Sequence, residues 1–236
     1  MSAQTTRGRS AVMSQRHEPP NSLEDFPTPP WATRALVRQV LPKLGLQLER
    51  ATVWEPAAGR GTMARVLAES ARLVFASDVH DYGDGFRLNV IGSFVGDGPD
   101  KAYAPCAPDW IITNPPFRLA VEFFERAIDD AKHVALLVRS NWAEGGDRYA
   151  RVFAKHPPLA VAQFVERVPM VRGRWNPDAS TATAYAWFVW LRHSSVETRM
   201  IWIPPGQRKA LTKADDVARF AAPSAPGLSA KKGAAA

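Results

Sequence analysis

The chain has 236 residues, a length that suits one α/β domain with ragged ends, and its 46% hydrophobic content is enough for a buried core. Lys and Arg number 30 against 23 Asp and Glu, a formal charge of +7 that favours a polyanionic partner. Cys106 is the single cysteine, which excludes a disulfide framework and a cysteine-based zinc site and fits a reducing, cytoplasmic setting; no apolar run approaches the ~20 residues of a membrane span, and the first residues, with Arg7, Arg9 and Arg16, lack the apolar centre of a signal peptide.

In chain order, residues 1–22 are polar and read as a disordered arm. Thr28 is placed to cap a helix that begins at Pro29 and runs through Trp31, Ala35, Leu36, Val40 and Leu41 until Pro42 and Gly45 end it. Ala51–Trp54 reads as a buried strand that enters Glu55-Pro-Ala-Ala-Gly59-Arg-Gly61-Thr62, and Met63, Val66 and Leu67 mark the helix that follows. A second strand, Leu73–Ser77, ends at Asp78, about 20 residues past the Gly turn, where an acid can hold ribose hydroxyls. A short strand is expected within Asn89–Phe94, then a Pro/Ala linker over 100–108, a strand at Trp110–Thr113, an amphipathic helix over Val121–Ile128 and a buried strand at His133–Val138. Tyr149–Lys155 reads as helix and Ala160–Val165 as strand; Ala184–Leu191 and Arg199–Ile203 read as a final antiparallel pair. The expected fold is a Rossmann-like, doubly wound, mostly parallel sheet with an antiparallel C-terminal edge strand. It occupies residues 23–204, and 205–236 form a mobile basic, Ala-rich tail.

Two loops carry the chemistry. Asn114-Pro115-Pro116-Phe117 follows the fourth core strand; the prolines donate no backbone hydrogen bond and push each preceding residue out of the helical region, which leaves a rigid extended corner. An amide oxygen and a carbonyl there can accept both N–H bonds of a flat amine, while the aromatic ring stacks on whatever carries it. The Gly turn lacks the third glycine of a hydride-cofactor fingerprint and the Gly-Lys-Ser/Thr of a P-loop. Glu55 ahead of it repels a pyrophosphate and suits a cationic ligand. If strand order reverses between the first and fourth strands, the two loops face each other across one crevice.

Glu-Pro-Ala-Ala-Gly-Arg-Gly at 55–61, Asp78, Asp-Trp-Ile-Ile-Thr-Asn-Pro-Pro-Phe at 109–117 and Phe-Pro-Thr-Pro-Pro at 26–30 resemble the class I S-adenosylmethionine-dependent methyltransferases. More closely they resemble the amino methyltransferases of DNA adenine N6, of the compact type found in phages and prophages. The resemblance implies that Phe26 and Thr28 meet the methionine end of S-adenosylmethionine, that Glu55, Ala57, Gly59 and Gly61 line the methionine and ribose path, and that Asp78 holds the ribose. Ser93 falls where the family places cofactor-adenine contacts, although the usual Asp-Phe or Asp-Leu is replaced here by Ile91-Gly-Ser-Phe94. Asn114 and the Pro115 carbonyl would bind the target amine, with Pro116 stiffening the corner and Phe117 stacked on a flipped base. Two acceptors localise the nitrogen lone pair and aim it at the sulfonium methyl, so positioning and electrostatics carry the rate without a metal.

No separate target-recognition domain is visible, so recognition falls to 141–148 and 168–183. There Asn141 and Trp142 read equally as pocket lining or as packing, and Arg167, Arg172, Arg174 and Trp175 equally as a DNA contact or as a solvated loop. DNA is the expected partner, with RNA less favoured and no membrane involved. Methylation of a protein glutamine is weaker still, because those enzymes use Asn-Pro-Pro-Tyr. A non-catalytic DNA-binding protein would have no need of an intact Asn114 corner.

Overall fold

The computed structural model describes residues 23–194 and 196–221. The expected arm at 1–22 lies outside them, as do residues 222–236 of the expected tail. Helix α1 (Pro30–Ala35) continues as a wide π turn (Leu36–Val40) and a 3-10 turn (Leu41–Leu44), ending at Gly45 with φ +71°. Then come β1 (Thr52–Glu55), α2 (Thr62–Leu67), β2 (Leu73–Asp78), β3 (Val90–Ile91), β4 (Trp110–Thr113), α3 (Ala120–Asp130) and β5 (His133–Arg139). A short α4 (Gly146–Arg148) runs into a π turn (Tyr149–Phe153) and is followed by β6 (Ala160–Phe164), β7 (Tyr185–Leu191), β8 (Arg199–Ile203), α5 (Gln207–Leu211) and α6 (Asp216–Phe220). No helix among the described residues is long and apolar enough to cross a membrane.

One sheet runs β3-β2-β1-β4-β5-β7-β6-β8. All pairings are parallel except those β7 makes with β5 and β6. The expected β7–β8 pair is corrected: β6 lies between them, and β8 pairs with β6 in parallel. The reason is alternation. Ile201 and Ile203 bury beside Leu36 and Leu41, the same face that Ala160, Ala162 and Phe164 of β6 supply.

The central strands are apolar on both faces because helices cover both. Val53, Ile112, Ala135 and Leu137 point into the α1/α2 layer, whereas Trp54, Ile111, Val134 and Leu136 point into the layer of α3. Order reverses between β1 and β4, so their carboxyl ends open onto a common crevice.

Two boundaries differ from the sequence expectation. Residues 205–221 are not a loose tail: α5 and α6 dock on α1 through Leu211 and Asp216. Arg34 of α1, 3% exposed, donates to both oxygens of Asp216 (2.6 and 2.7 Å) and of Glu69 beyond α2 (2.9 and 2.7 Å), and also to the Leu211 carbonyl. Thr28 does not cap α1, which starts one residue later than expected with Pro29 at its N-cap and no side-chain hydrogen bond.

Candidate active site

β1 runs into the Gly turn, which is tied to β2 by backbone donors. Ala58 N–H donates to the Ser77 carbonyl (3.0 Å) and Gly59 N–H to Asp78 Oδ2 (2.8 Å), while Asp78 Oδ1 accepts from His80 N–H (3.0 Å). Gly59 and Gly61 have φ of +52° and +74°, a region that glycine enters without a Cβ penalty. A Cβ on Gly61 would lie 2.3 Å from the Phe86 ring. Gly61 sits between the lining residues Arg60 and Thr62, and the space a Cβ would take there is filled by the Phe86 ring.

The cavity on the other side of this turn encloses about 400 Å³. Glu55 is 2% exposed at its floor, and Glu55 Oε2 has no hydrogen-bond partner among the described residues. Burial, reinforced by the neighbouring Asp78 charge, holds the Glu55 carboxyl well above the usual carboxylate range. Burial also raises Asp78, against the N–H bonds it accepts, and raises Asp25, against the Arg60 cation.

β4 brings the Asn-Pro-Pro-Phe corner to the same cavity. Asn114 Nδ2 donates to the Phe26 carbonyl (3.1 Å) and lies 3.6 Å from Met170 Sδ, which leaves Oδ1 buried and without a partner among the described residues. The Phe117 ring stacks on Phe26 (centroids 6.0 Å apart, 30°), and the Arg139 guanidinium from the end of β5 sits 4.7 Å from the Phe117 centroid.

Residues 23–28 form a strap along the opening. The strap is held by Asp25, whose carboxylate accepts from Arg60 Nε (3.0 Å) and whose carbonyl accepts from Gly173 N–H (2.9 Å). Arg60 reaches Asp84 as well (3.4 Å) and lies over the Tyr82 ring (4.7 Å). Thr28 Oγ1 is buried beside the cavity without a partner among the described residues.

Of the residues singled out from sequence, Phe26, Thr28, Glu55, Ala57, Gly59, Asp78, Ser93, Asn114, Pro115, Pro116 and Phe117 all line this cavity. The Ser93 hydroxyl is engaged with the Val95 carbonyl (2.6 Å). Trp142, read equally as pocket lining or packing, and Trp175, read equally as a DNA contact or part of a solvated loop, are both buried. Trp142 packs among Phe153, Phe188 and Trp190, and Trp175 packs with Val66 and Phe220; at 7% and 3% exposure neither ring offers a face to a base. Asn141 and Arg172 are exposed, and Arg174 pairs with Asp84 (3.6 Å). Sequence reasoning missed Glu24, Asp25, Arg60, Tyr82 and Arg139, because each acts across a long stretch of chain. The acids of Glu24-Asp25, directly ahead of Phe26, were the available signal.

Neither the protein-family models nor the curated proteins contain a match to this chain. Among solved structures it resembles a Pyrococcus horikoshii protein provisionally assigned as an RNA methyltransferase, at 15% identity and TM-score 0.51, over 75% of this chain and 90% of that one. It also aligns with the 23S rRNA methyltransferase ErmE (16% identity, TM-score 0.43, 69% and 67% of the two chains) and with a dimethyladenosine transferase from Plasmodium falciparum (13%, 0.40, 68% and 60%). Strand order, the reversal between β1 and β4 and the superposition on the first of these agree: the chain has the Rossmann-like fold of the class I methyltransferases.

Proposed function

We propose that the chain transfers a methyl group from S-adenosylmethionine to the N6 amine of adenine in DNA. The observation that carries this reading is Asn114 Oδ1, a buried acceptor without a partner among the described residues, aimed by the hydrogen bond from its own Nδ2 to Phe26. A buried orphan acceptor costs about 1–3 kcal/mol, and a donor from outside removes that cost. A flat amine is such a donor, and the Pro115 carbonyl at the same corner is the second acceptor.

The opposite wall fits the cofactor. Glu55, Asp78 and Asp25 are three carboxylates pushed toward neutrality by burial, and a ligand bearing positive charge favours their ionised forms. When bound, S-adenosylmethionine supplies an electrophilic methyl on a sulfonium. Glu55 compensates its positive charge, Asp78 offers its remaining lone pairs to the ribose, and Phe26, Thr28, Ala57, Gly59 and Ser93 line its path. Asn114 and Pro115 hold the amine and draw its lone pair out of the ring, with Pro116 fixing the corner. Phe117 takes the base face once the nucleotide is flipped out. The exposed Asn141 and Arg172, with the half-buried Arg174 beside Asp84, serve the nucleic-acid strand.

RNA adenine is the second reading, favoured by the fold shared with the Pyrococcus horikoshii protein. Incubation with labelled cofactor and DNA, RNA or protein, followed by digestion, separates the two. The expected product is N6-methyldeoxyadenosine. Label in N4-methylcytosine, in RNA alone or in protein overturns the DNA adenine reading.

A further inference from the structure

We propose that the Phe117 N–H and the Arg118 guanidinium form a fork that binds a phosphodiester of the substrate strand, and that the Glu24 carboxylate occupies this fork in the free protein. The proposal rests on the nucleic-acid reading above and names how the strand is gripped beside Asn114.

Pro115 and Pro116 carry no N–H, so the first backbone donor after Asn114 is that of Phe117. It donates to Glu24 Oε2 at 2.6 Å, and Arg118 Nε donates to Glu24 Oε1 at 3.1 Å. Each carboxylate oxygen thus has its own donor, one neutral and one cationic. The two non-bridging oxygens of a phosphodiester match that fork, and both acceptors carry one negative charge.

The occupant is held in an unfavourable backbone. Glu24 has φ +49°, a left-handed conformation that costs a non-glycine residue about 1–2 kcal/mol. Its side chain is 4% exposed while that of Arg118 is 51% exposed, so an incoming strand meets the guanidinium first. Glu24 lies on the strap, in a stretch without helix or strand, and moving it breaks no element. Glu24, Asn114, Phe117 and Arg118 all border the same cavity, so a base seated at Asn114 has its own backbone at this rim.

Binding of a short, dye-labelled, adenine-containing single-stranded oligodeoxynucleotide to the full chain, followed by anisotropy over a series of salt concentrations, tests this. Glu24→Gln keeps an oxygen for the Phe117 N–H but removes the competing charge; the dissociation constant is expected to fall about three- to tenfold, the scale of one charge-assisted contact. Arg118→Gln is expected to weaken binding and to reduce the slope of log affinity against log salt by about 0.7, one phosphate contact on a single strand. In the double variant the gain from Glu24→Gln disappears. The proposal is overturned if Glu24→Gln leaves affinity unchanged or weakens it, if Arg118→Gln keeps the wild-type salt slope, or if neither the wild type nor Glu24→Gln binds DNA or RNA. Adenine methylation with an unresponsive Glu24→Gln removes the fork and keeps the proposed activity. The expected binding shifts without any methyladenine keep the fork and remove that activity.

Discussion

Two groups of buried charges in this chain are built on opposite terms. Around Arg34 every charge has an answer: Asp216 and Glu69 each offer it two oxygens, and Lys213 adds a contact to Glu69 (2.8 Å). Burial alone would raise the Glu69 carboxyl and lower the Arg34 guanidinium. Their mutual hydrogen bonds reverse both, holding Glu69 down at about 2 and Arg34 above its ordinary value. In the cavity the acids outnumber their partners, and Glu55, Asp78 and Asp25 are all pushed up. The first group ties α1, α2 and α6 into one body. The second carries unfavourable burial of charge that a proton or a cationic ligand can relieve, the kind of local cost that a binding site trades against stability.

That contrast can be broken most sharply at Arg34. Replacing it with leucine leaves Asp216, 0% exposed, without its cation, and a loss of about 3–5 kcal/mol in unfolding free energy is expected by denaturant titration. Asn114→Ala in the cavity is expected to do the reverse: methyl transfer falls by about 10²–10³-fold, the scale of one lost transition-state contact, while the melting temperature holds or rises because an orphan acceptor is gone. A variant that melts early but keeps its turnover would refute the assigned role. Glu55→Gln is expected to raise the melting temperature of the ligand-free chain and to weaken cofactor binding in calorimetry; tighter binding would remove Glu55 from the charge match.

The two groups also titrate with opposite signs. A raised carboxyl pKa means the native state binds more protons than the unfolded one, so ligand-free stability from Glu55 and Asp78 falls as pH rises from the ordinary carboxyl range through their raised values. Glu69 is lowered, so its contribution is present above the ordinary value of 4.5 and is lost as pH falls from there toward about 2. Melting temperatures across this range are expected to show both limbs, and Glu55→Gln should flatten only the upper one. Gly61→Ala is expected to lose about 1–2 kcal/mol from φ +74° alone, and about 1–3 kcal/mol more because its Cβ would overlap the Phe86 ring at 2.3 Å, read by denaturant titration.

Much of this architecture is legible in the sequence wherever one residue type has one physical outcome. Pro115 and Pro116, one residue past Thr113, can only end β4, and the apolar runs at 53–54, 111–112 and 134–137 can only sit between two helix layers. Ambiguity enters where a residue has two good environments. From sequence Trp142 suits a pocket wall as well as packing, and Trp175 suits a DNA contact as well as a solvated loop; both rings are in fact buried. Thr28 looks like a cap, but Pro29 shifts the helix start and leaves its hydroxyl in the cavity wall. The Glu24–Arg118 and Asp25–Arg60 contacts span 94 and 35 positions, and no local pattern announces them.

The reversed direction of β7 has a consequence for what the crevice is built from. β6 finishes, and β7 begins, at the edge of the sheet that holds the crevice, so residues 165–184 leave and rejoin the scaffold on the functional side. Met170 reaches Asn114, Gly173 reaches Asp25 and Arg174 reaches Asp84 from that excursion. Its two stems are clamped by the β6–β7 ladder. Val168, Met170 and Trp175 are buried within the segment, so a change of length or composition here reaches the strap and the Asn114 corner as well as the surface.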